Sequence, residues 1–238
     1  MGSLLTHNSS TGKRIGKRLR RSLLILFSLL LLIRLFFLVP ARVVSSSMFP
    51  ALHVGDIILA DKTSYGLRLP VTNTRIFGTG LPHRGDVVLF IFPGNKKQVY
   101  LKRIIGLPGD IVTLEGRQVF VNGKRISVEQ GCMEAKKGAG AGPALAVPAD
   151  CQGEEILSDM KYTVLYDKND NKPGVMQRFL VRPNHYFVLG DNRDHSVDSR
   201  SWGFVPEQNL IGRPFIILFS WNKRINKVAW HRVGMHVH

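Results

Sequence analysis

The hexapeptide Ser45-Ser46-Ser47-Met48-Phe49-Pro50 separates two parts of the chain whose residue patterns differ. Before it lies an apolar run, residues 22–39, that consists almost entirely of Leu, Ile, Phe and Val and is interrupted by Ser28 and Arg34. After it come short segments rich in Val, Ile and Phe, separated by Gly, Pro and Asn. The change of pattern indicates that the secondary structure changes from helix to strand at this point.

The apolar run is long enough to cross a membrane as a helix. At about 1.5 Å per residue it extends about 27 Å, which matches the hydrocarbon core of a bilayer, with Arg34 reaching toward one face. Six basic residues precede the run and only Arg42 follows it closely, so the positive-inside rule places the N-terminus in the cytoplasm. A cleaved secretory signal is the alternative, but it has a shorter apolar region. We expect residues 1–21 to form a basic cytoplasmic tail and residues 22–40 an uncleaved transmembrane anchor.

The chain after residue 50 shows little 3.6-residue periodicity, which favours strands over helices. The dipeptide Asn122-Gly123, between two apolar segments, is typical of a type I′ hairpin turn. The predicted fold is therefore mostly β, a coiled antiparallel β-sheet domain that follows one N-terminal transmembrane helix. The predicted strands are residues 56–60, 86–92, 99–105, 111–115, 118–121, 162–166, 179–181, 186–189 and 211–221.

The charge of the chain favours a lipid partner. The 238 residues include 33 Lys and Arg against 17 Asp and Glu, a formal net charge of +16 at pH 7. No helix-turn-helix pattern, zinc-ligand spacing or aromatic-rich RNA motif accompanies this charge, so we expect an anionic phospholipid membrane as partner and no nucleic acid. We expect neither a metal ion nor another cofactor.

Two segments have composition that predicts little regular structure. Residues 138–143 are low in complexity and are expected to form a flexible loop between Cys132 and Cys151, which could form a disulfide or remain free thiols. The C-terminal segment, residues 222–238, is basic and contains three histidines. We expect it to be a frayed surface segment rather than a metal site.

A serine hydroxyl is a poor nucleophile until a neighbouring base removes its proton. The chain has no Gly-x-Ser-x-Gly elbow for a histidine-based triad, and the Ser-x-x-Lys spacings at Ser158–Lys161 and Ser220–Lys223 lack a Lys-Thr-Gly partner. Lys102 is a third candidate base, because strand periodicity places it on the same face as Tyr100 and Ile104. On periodicity alone, an exposed lysine on an edge strand is the favoured alternative. If the side chain instead faces apolar neighbours, the ammonium is desolvated, and the lysine pKa falls from about 10.4 toward the range of a general base.

Three segments of the sequence resemble the sequence motifs, called boxes, of bacterial type I signal (leader) peptidases. They occur in order, between the apolar run and about residue 220, and residues 84–88 also fit the pattern. The three boxes are Ser45-x-Ser47-Met48-x-Pro50, Tyr100-Leu101-Lys102-Arg103-Ile104-Ile105-Gly106-Leu107-Pro108-Gly109-Asp110, and Gly190-Asp191-Asn192-Arg193-Asp194-His195-Ser196-Val197-Asp198-Ser199-Arg200 with the residues that follow it to Pro206.

The resemblance implies a role for each matching residue. Ser47 would be the nucleophile and Lys102 its general base, with Ser45 and the backbone N–H of Ser47 forming the oxyanion hole. Ser196 would orient the lysine. The remaining matches would support the fold near the site; they are the ion pair Asp198 and Arg200, together with Arg103 and Asp191.

The resemblance also implies an activity and a location. The catalytic β core would comprise residues 41–116 and 183–221, and residues 117–182 would form a secondary β region that includes the cysteine loop. The enzyme would remove signal peptides from exported preproteins, anchored by one span in the bacterial inner membrane with its catalytic domain on the periplasmic side. One alternative uses the same residues: a Ser/Lys maturase of a conjugation or pilus system with a narrow substrate range. A second alternative is an anchored binding protein with an inactive peptidase fold, and the intact Ser47, Lys102 and Ser196 argue against it.

Overall fold

Short strands make up most of the regular secondary structure in the described residues, because β-branched and aromatic side chains fit a pleated, half-buried surface. The computed structural model describes residues 9–68, 75–77, 80–126, 133–134, 150–167, 175–222 and 225–238. The helices are α1 (Ser9–Phe36) and α2 (Ser199–Trp202). The strands are β1 (Leu38–Arg42), β2 (Asp56–Asp61), β3 (Leu67–Arg68), β4 (Arg75–Phe77), β5 (Val87–Ile91), β6 (Val99–Gly106), β7 (Ile111–Glu115), β8 (Gln118–Val121), β9 (Lys124–Arg125), β10 (Met133–Glu134), β11 (Asp150–Leu157), β12 (Met160–Asp167), β13 (Gln177–Leu180), β14 (His185–Leu189), β15 (Val205–Pro206), β16 (Leu210–Asn222) and β17 (Lys227–Val228).

The prediction of a mostly β, antiparallel fold is confirmed. Each of the nine predicted strands appears within two residues of its expected ends. The predicted hairpin is also present: Val121 pairs with Lys124, and Asn122 and Gly123 have φ angles of 54° and 79°. A type I′ turn requires positive φ at both central positions, which asparagine and glycine tolerate best.

The main sheet has eight strands in the order β1-β2-β16-β5-β6-β14-β15, with β17 also paired to β16. The 13-residue strand β16 joins the two halves of this sheet: its beginning pairs with β5, and residues 213–220 pair with β2. Shifts of register interrupt both pairings, and such bulges bend and twist a strand. Gly212 permits the close approach to β2, since a Cβ atom there would lie 2.5 Å from the carbonyl oxygen of Asp61.

Two smaller sheets cover one face of β14. One has the strand order β13-β7-β8-β9 and the other the order β10-β11-β12. Their inward side chains Val112, Val119 and Val164 form one buried cluster with Phe187 and Leu189 of β14. Cys132 and the predicted flexible loop at residues 138–143 lie outside the described residues.

The end of the predicted anchor was placed wrongly. Helix α1 stops at Phe36, and Leu38, Val39 and Pro40 belong to β1, where Leu38 pairs with Asp61 of β2. The apolar residues continue without interruption, but the edge of β2 offers backbone partners that end the helix. In the described part of the chain, no helix combines the length and the apolar character that a membrane crossing requires.

The prediction of a frayed C-terminal segment was also wrong. Strand β17 pairs with the end of β16, and His236 forms a bridge with Ile216. Arg232 is only 6% exposed and contacts the buried carboxylate of Asp56, at 2.6 Å from Nη2 to Oδ2. Residues 225–238 thus pack on the β domain and supply the cation that a buried carboxylate requires.

Candidate active site

The three serines of the hexapeptide lie in the loop between β1 and β2. Ser47 is 8% exposed, and Met48 beside it is fully buried in a cluster with Leu52 and Val87. The backbone N–H of Leu52 donates to the carbonyl of Met48 at 2.8 Å, which closes a tight turn. The apolar side chain of Met48 therefore fixes the position of the serine that precedes it.

A second loop holds the backbone of these serines from the other side. The backbone N–H of Asn192 donates to the carbonyl of Ser47 at 3.1 Å, and its side-chain amide donates to the carbonyl of Ser46 at 3.3 Å. The hydroxyls of Ser45 and Ser47 lie 3.2 Å apart. The hydroxyls of Ser45 and Ser47 are thus neighbours on a loop whose backbone is fixed by Asn192 on one side and by the packing of Met48 on the other.

Lys102 lies on β6 with its side chain 3% exposed, opposite Val88 of β5. Its ammonium lies 6.0 Å from the ring centroid of Tyr100, so these residues share a face as predicted. Burial lowers the pKa of Lys102 to about 8, with Arg200 lowering it further and the carboxylates Asp198 and Asp191 opposing the shift. At that value about a tenth of the amine is neutral at pH 7, far more than for an exposed lysine.

A cavity of about 290 Å³ brings these groups together. Ser45, Ser47 and Lys102 all line it, together with Tyr100, His195 and several apolar side chains. No hydrogen bond joins Ser47 to Lys102 in the described structure. Such contacts commonly tighten only when substrate binds.

Ser196 lies behind the serine loop, against Gly190. A Cβ atom on Gly190 would lie 2.2 Å from the Ser196 hydroxyl and 2.5 Å from the Ser47 carbonyl oxygen. The Ser196 hydroxyl is enclosed and has no hydrogen-bond partner of normal geometry among the described residues. The structure therefore places Ser196 beside the Ser47 backbone, without a hydrogen bond to Lys102.

Asp198 and Arg200 form the predicted ion pair, at 2.8 Å from Nε to Oδ1. Asp198 is fully buried and caps helix α2, and it also accepts from the backbone N–H of Gly190 at 3.0 Å. Burial alone would raise the pKa of Asp198. The hydrogen bonds and the charge of Arg200 outweigh this effect, so that the pKa of Asp198 is lowered overall. The nearby Ser196 hydroxyl adds to the lowering, although its distance and angle are not those of a normal hydrogen bond. The pair ties both ends of the Gly190 to Arg200 loop together.

Arg103, the residue after Lys102 on β6, forms a two-point ion pair with Asp191, with N–O distances of 2.8 and 2.7 Å. Both side chains are 1% exposed. Arg103 also donates to the carbonyls of Gly85 and His238, at 2.7 and 2.9 Å. These contacts join β6 to the loop after β14 and to the C-terminal segment.

Two buried ion pairs were not anticipated from the sequence. One joins Arg193 to Glu155 of β11, whose carboxylate also accepts hydrogen bonds from Tyr162 and Tyr166. The other is Asp56 with Arg232. A signal for Glu155 does exist, because strand periodicity places it on the same face as Leu157, which is buried. No cluster of His, Cys, Asp or Glu suited to a metal ion occurs in the described residues.

Comparison with known proteins identifies the family of the chain. Residues 16–220 match the family described as "Signal peptidase, peptidase S26". The chain is 35% identical to a signal peptidase I of Pseudomonas fluorescens over 204 residues, covering 81% of this chain and 69% of that protein. It is 34% identical to a signal peptidase I of Pseudomonas aeruginosa, covering 87% and 74%. A crystal structure of a signal peptidase I from Enterococcus faecalis V583 shares 28% identity with this chain, and the match covers 57% of this chain and 98% of that chain, with a TM-score of 0.34. The assignment to a family therefore depends on the sequence matches. With most of its length matched, the chain belongs to the signal peptidase family, peptidase S26, and is a peptidase.

Proposed function

We propose that this protein is a serine endopeptidase that removes signal peptides from exported preproteins, with Ser47 as nucleophile and Lys102 as general base. The observation that carries the proposal is that Ser47 and a buried lysine of lowered pKa line one cavity. A neutral amine can accept a proton, whereas an ammonium cannot. The relatives' name, signal peptidase I, supports the choice of substrate.

The reaction would proceed in two steps. Lys102 takes the proton of the Ser47 hydroxyl as Oγ attacks the carbonyl carbon of the scissile bond. The tetrahedral intermediate collapses, and the leaving amine takes the proton from the Lys102 ammonium. Lys102 then removes a proton from a water molecule, which attacks the acyl ester and releases the signal peptide while Ser47 regains its proton.

The oxyanion of each intermediate would be held by the Ser47 backbone N–H and the Ser45 hydroxyl. The Ser45 hydroxyl is 3.2 Å from that of Ser47, and the Ser47 N–H donates to no acceptor in the described structure. A donor that is already in place when charge develops contributes about 3 kcal/mol to transition-state stabilisation. Ser196, Asp198 and Arg200 would position the loop that supports Ser47, and Arg103 and Asp191 the strand that carries Lys102.

We further propose that the N-terminal segment containing α1 holds the protein at the bacterial inner membrane, with the β domain on the periplasmic side. The helix exposes large apolar side chains, such as Leu23 at 56%, Ile25 at 69% and Phe27 at 65%. Exposed arginines at positions 18, 20 and 21 precede them and would contact anionic headgroups.

The test uses the full chain in phospholipid vesicles with a purified preprotein. Mass spectrometry should show one cut at the end of the signal peptide, and Ser47→Ala and Lys102→Ala should each abolish it. Normal processing by either variant would refute the assigned dyad. A panel of unrelated preproteins distinguishes a general signal peptidase from a maturase, since the maturase would cleave only one of them.

A further inference from the structure

Two side chains at the rim of the cavity have no partner within the protein. Arg42, at the end of β1, and His195, in the loop before Ser196, both line the cavity and are exposed. Neither forms a hydrogen bond or an ion pair with any residue in the part of the chain that the structure describes. Their polar atoms are therefore available to a bound molecule.

This availability distinguishes Arg42 from the arginines in the interior of the β domain. Each of those contacts a carboxylate, which compensates its charge. The interior pairs are Arg103 with Asp191, Arg193 with Glu155, Arg200 with Asp198, and Arg232 with Asp56.

The charge of the cavity lining is of one sign. Arg42, Lys102 and His195 are its ionisable residues other than Tyr100, and none of the described residues that line it is Asp or Glu. Its walls also expose apolar side chains, with Val44 at 78%, Val99 at 51% and Val197 at 63%. A peptide that covers these walls excludes water, which strengthens any charge interaction made there.

We propose that Arg42 and His195 select substrates that carry an Asp or Glu side chain close to the scissile bond and disfavour Lys or Arg at that place. This inference rests on the proposed function, in which an extended peptide lies in the cavity with its scissile carbonyl at Ser47. The guanidinium of Arg42 presents paired N–H groups that match a carboxylate, and the ring N–H of His195 adds a further donor.

A phosphate headgroup of an anionic lipid offers similar chemistry. We favour the peptide carboxylate because Arg42 and His195 line the same cavity as Ser47, so that whatever fills the cavity for cleavage lies beside them. Binding of a lipid headgroup by Arg42 would give a different result in the experiment that follows.

The experiment uses the full chain and a series of signal-peptide substrates in which one Asp moves through the positions that flank the scissile bond. At each position, matched peptides carry Asn or Lys instead. The measured quantity is the ratio of kcat/KM for Asp to that for Asn, in wild type and in the variants Arg42→Gln and His195→Gln. The control is Arg178→Gln, which changes an exposed arginine on β13, in another sheet.

At one position the wild-type ratio should be about three- to ten-fold, with Lys below Asn. Arg42→Gln and His195→Gln should each bring the ratio toward one, whereas Arg178→Gln should keep the wild-type ratio. A wild-type ratio near one at every position, or a ratio that survives in Arg42→Gln, would overturn the proposal. So would an effect of Arg42→Gln that is equal for all peptides and occurs only with anionic vesicles, which would assign Arg42 to the lipid surface.

Failure of the proposed function is detected separately. If wild type cleaves none of the peptides, the peptidase assignment to this substrate class fails. The preference for a carboxylate is then decided by binding of the same labelled peptides to Ser47→Ala, measured by fluorescence anisotropy. Tighter binding of the Asp peptide that Arg42→Gln removes would support the charge selection, and equal binding of all peptides would reject it.

Discussion

Gly190 lies so close to Ser47 that a Cβ atom at position 190 would be 2.5 Å from the Ser47 carbonyl oxygen. The same carbonyl accepts the backbone N–H of Asn192, so the two loops are in contact without a side chain between them. The position of Ser47 thus depends on the absence of a side chain at residue 190.

Replacing this glycine tests the contact. Gly190→Ala should displace the serine loop and lower kcat/KM by about 100-fold, because a misplacement on the order of 1 Å is enough for that loss. The control is Gly153→Ala, where the added methyl would meet only ordinary contacts at 3.5 Å. Circular dichroism should show that both variants fold. Equal activity in the two variants would mean that the Gly190 contact does not position Ser47.

The lowered pKa of Lys102 predicts how activity depends on pH. In the proposed mechanism only the neutral amine acts as base, so kcat/KM should rise about tenfold per pH unit below the pKa of about 8 and level off above it. Measuring kcat/KM for one peptide substrate between pH 6 and 10 tests this prediction. A profile that is flat below pH 8 would exclude a lysine of this pKa as the base.

The same shift predicts that Lys102 costs stability. The folded-state pKa of about 8 lies below the ordinary value of 10.5, so the unfolded chain binds more protons between these values. Stability should therefore rise with pH through this window, and the cost of burying the ammonium is fully present below pH 8.

Lys102→Met should accordingly abolish cleavage and raise the free energy of unfolding at pH 7 by about 1 to 3 kcal/mol. The difference from wild type should shrink at pH 10. Lys97→Met, at an exposed turn position, should change stability by less than about 0.5 kcal/mol. Thermal unfolding in detergent measures all three proteins. A Lys102→Met variant that is less stable than wild type would contradict the buried-charge account.

The ion pair between Glu155 and Arg193 should make a large contribution to the stability of the fold. Glu155→Gln leaves the guanidinium buried without a countercharge, and we expect a loss of about 3 to 5 kcal/mol. The neighbouring Glu154 provides a matched control, because its pair with Lys161 is more than half exposed, at 53% and 58%. Glu154→Gln should cost less than about 1 kcal/mol. Urea unfolding compares the two, and similar losses would refute this role for Glu155.

Local sequence pattern was sufficient for much of the fold. The strands could be predicted because runs of Val, Ile and Phe alternate with turn residues. The burial of Lys102 did not follow from periodicity alone, which favoured an exposed lysine on an edge strand. Ser47 and Lys102 required more than periodicity, since the surrounding boxes singled them out among many serines and lysines.

Contacts between distant residues were not predictable in this way. Arg232 contacts Asp56 across 176 residues, and nothing in the basic C-terminal segment identifies which of its cations is buried. Strand β1 was missed for a related reason: Leu38 and Val39 suit a helix as well as a strand, and the edge of β2 decides between them.

The position of β16 between β2 and β5 has a consequence during synthesis. The loop with the proposed nucleophile precedes β2 and the proposed base lies on β6, so the two halves of the proposed dyad are joined through a strand that begins at Leu210. While the polypeptide is still leaving the ribosome, Ser47 and Lys102 are made early but lack the strand that unites them. We expect nascent chains stalled before Leu210 to be unable to cut a peptide, and chains that include the whole of β16 and the C-terminal segment to do so.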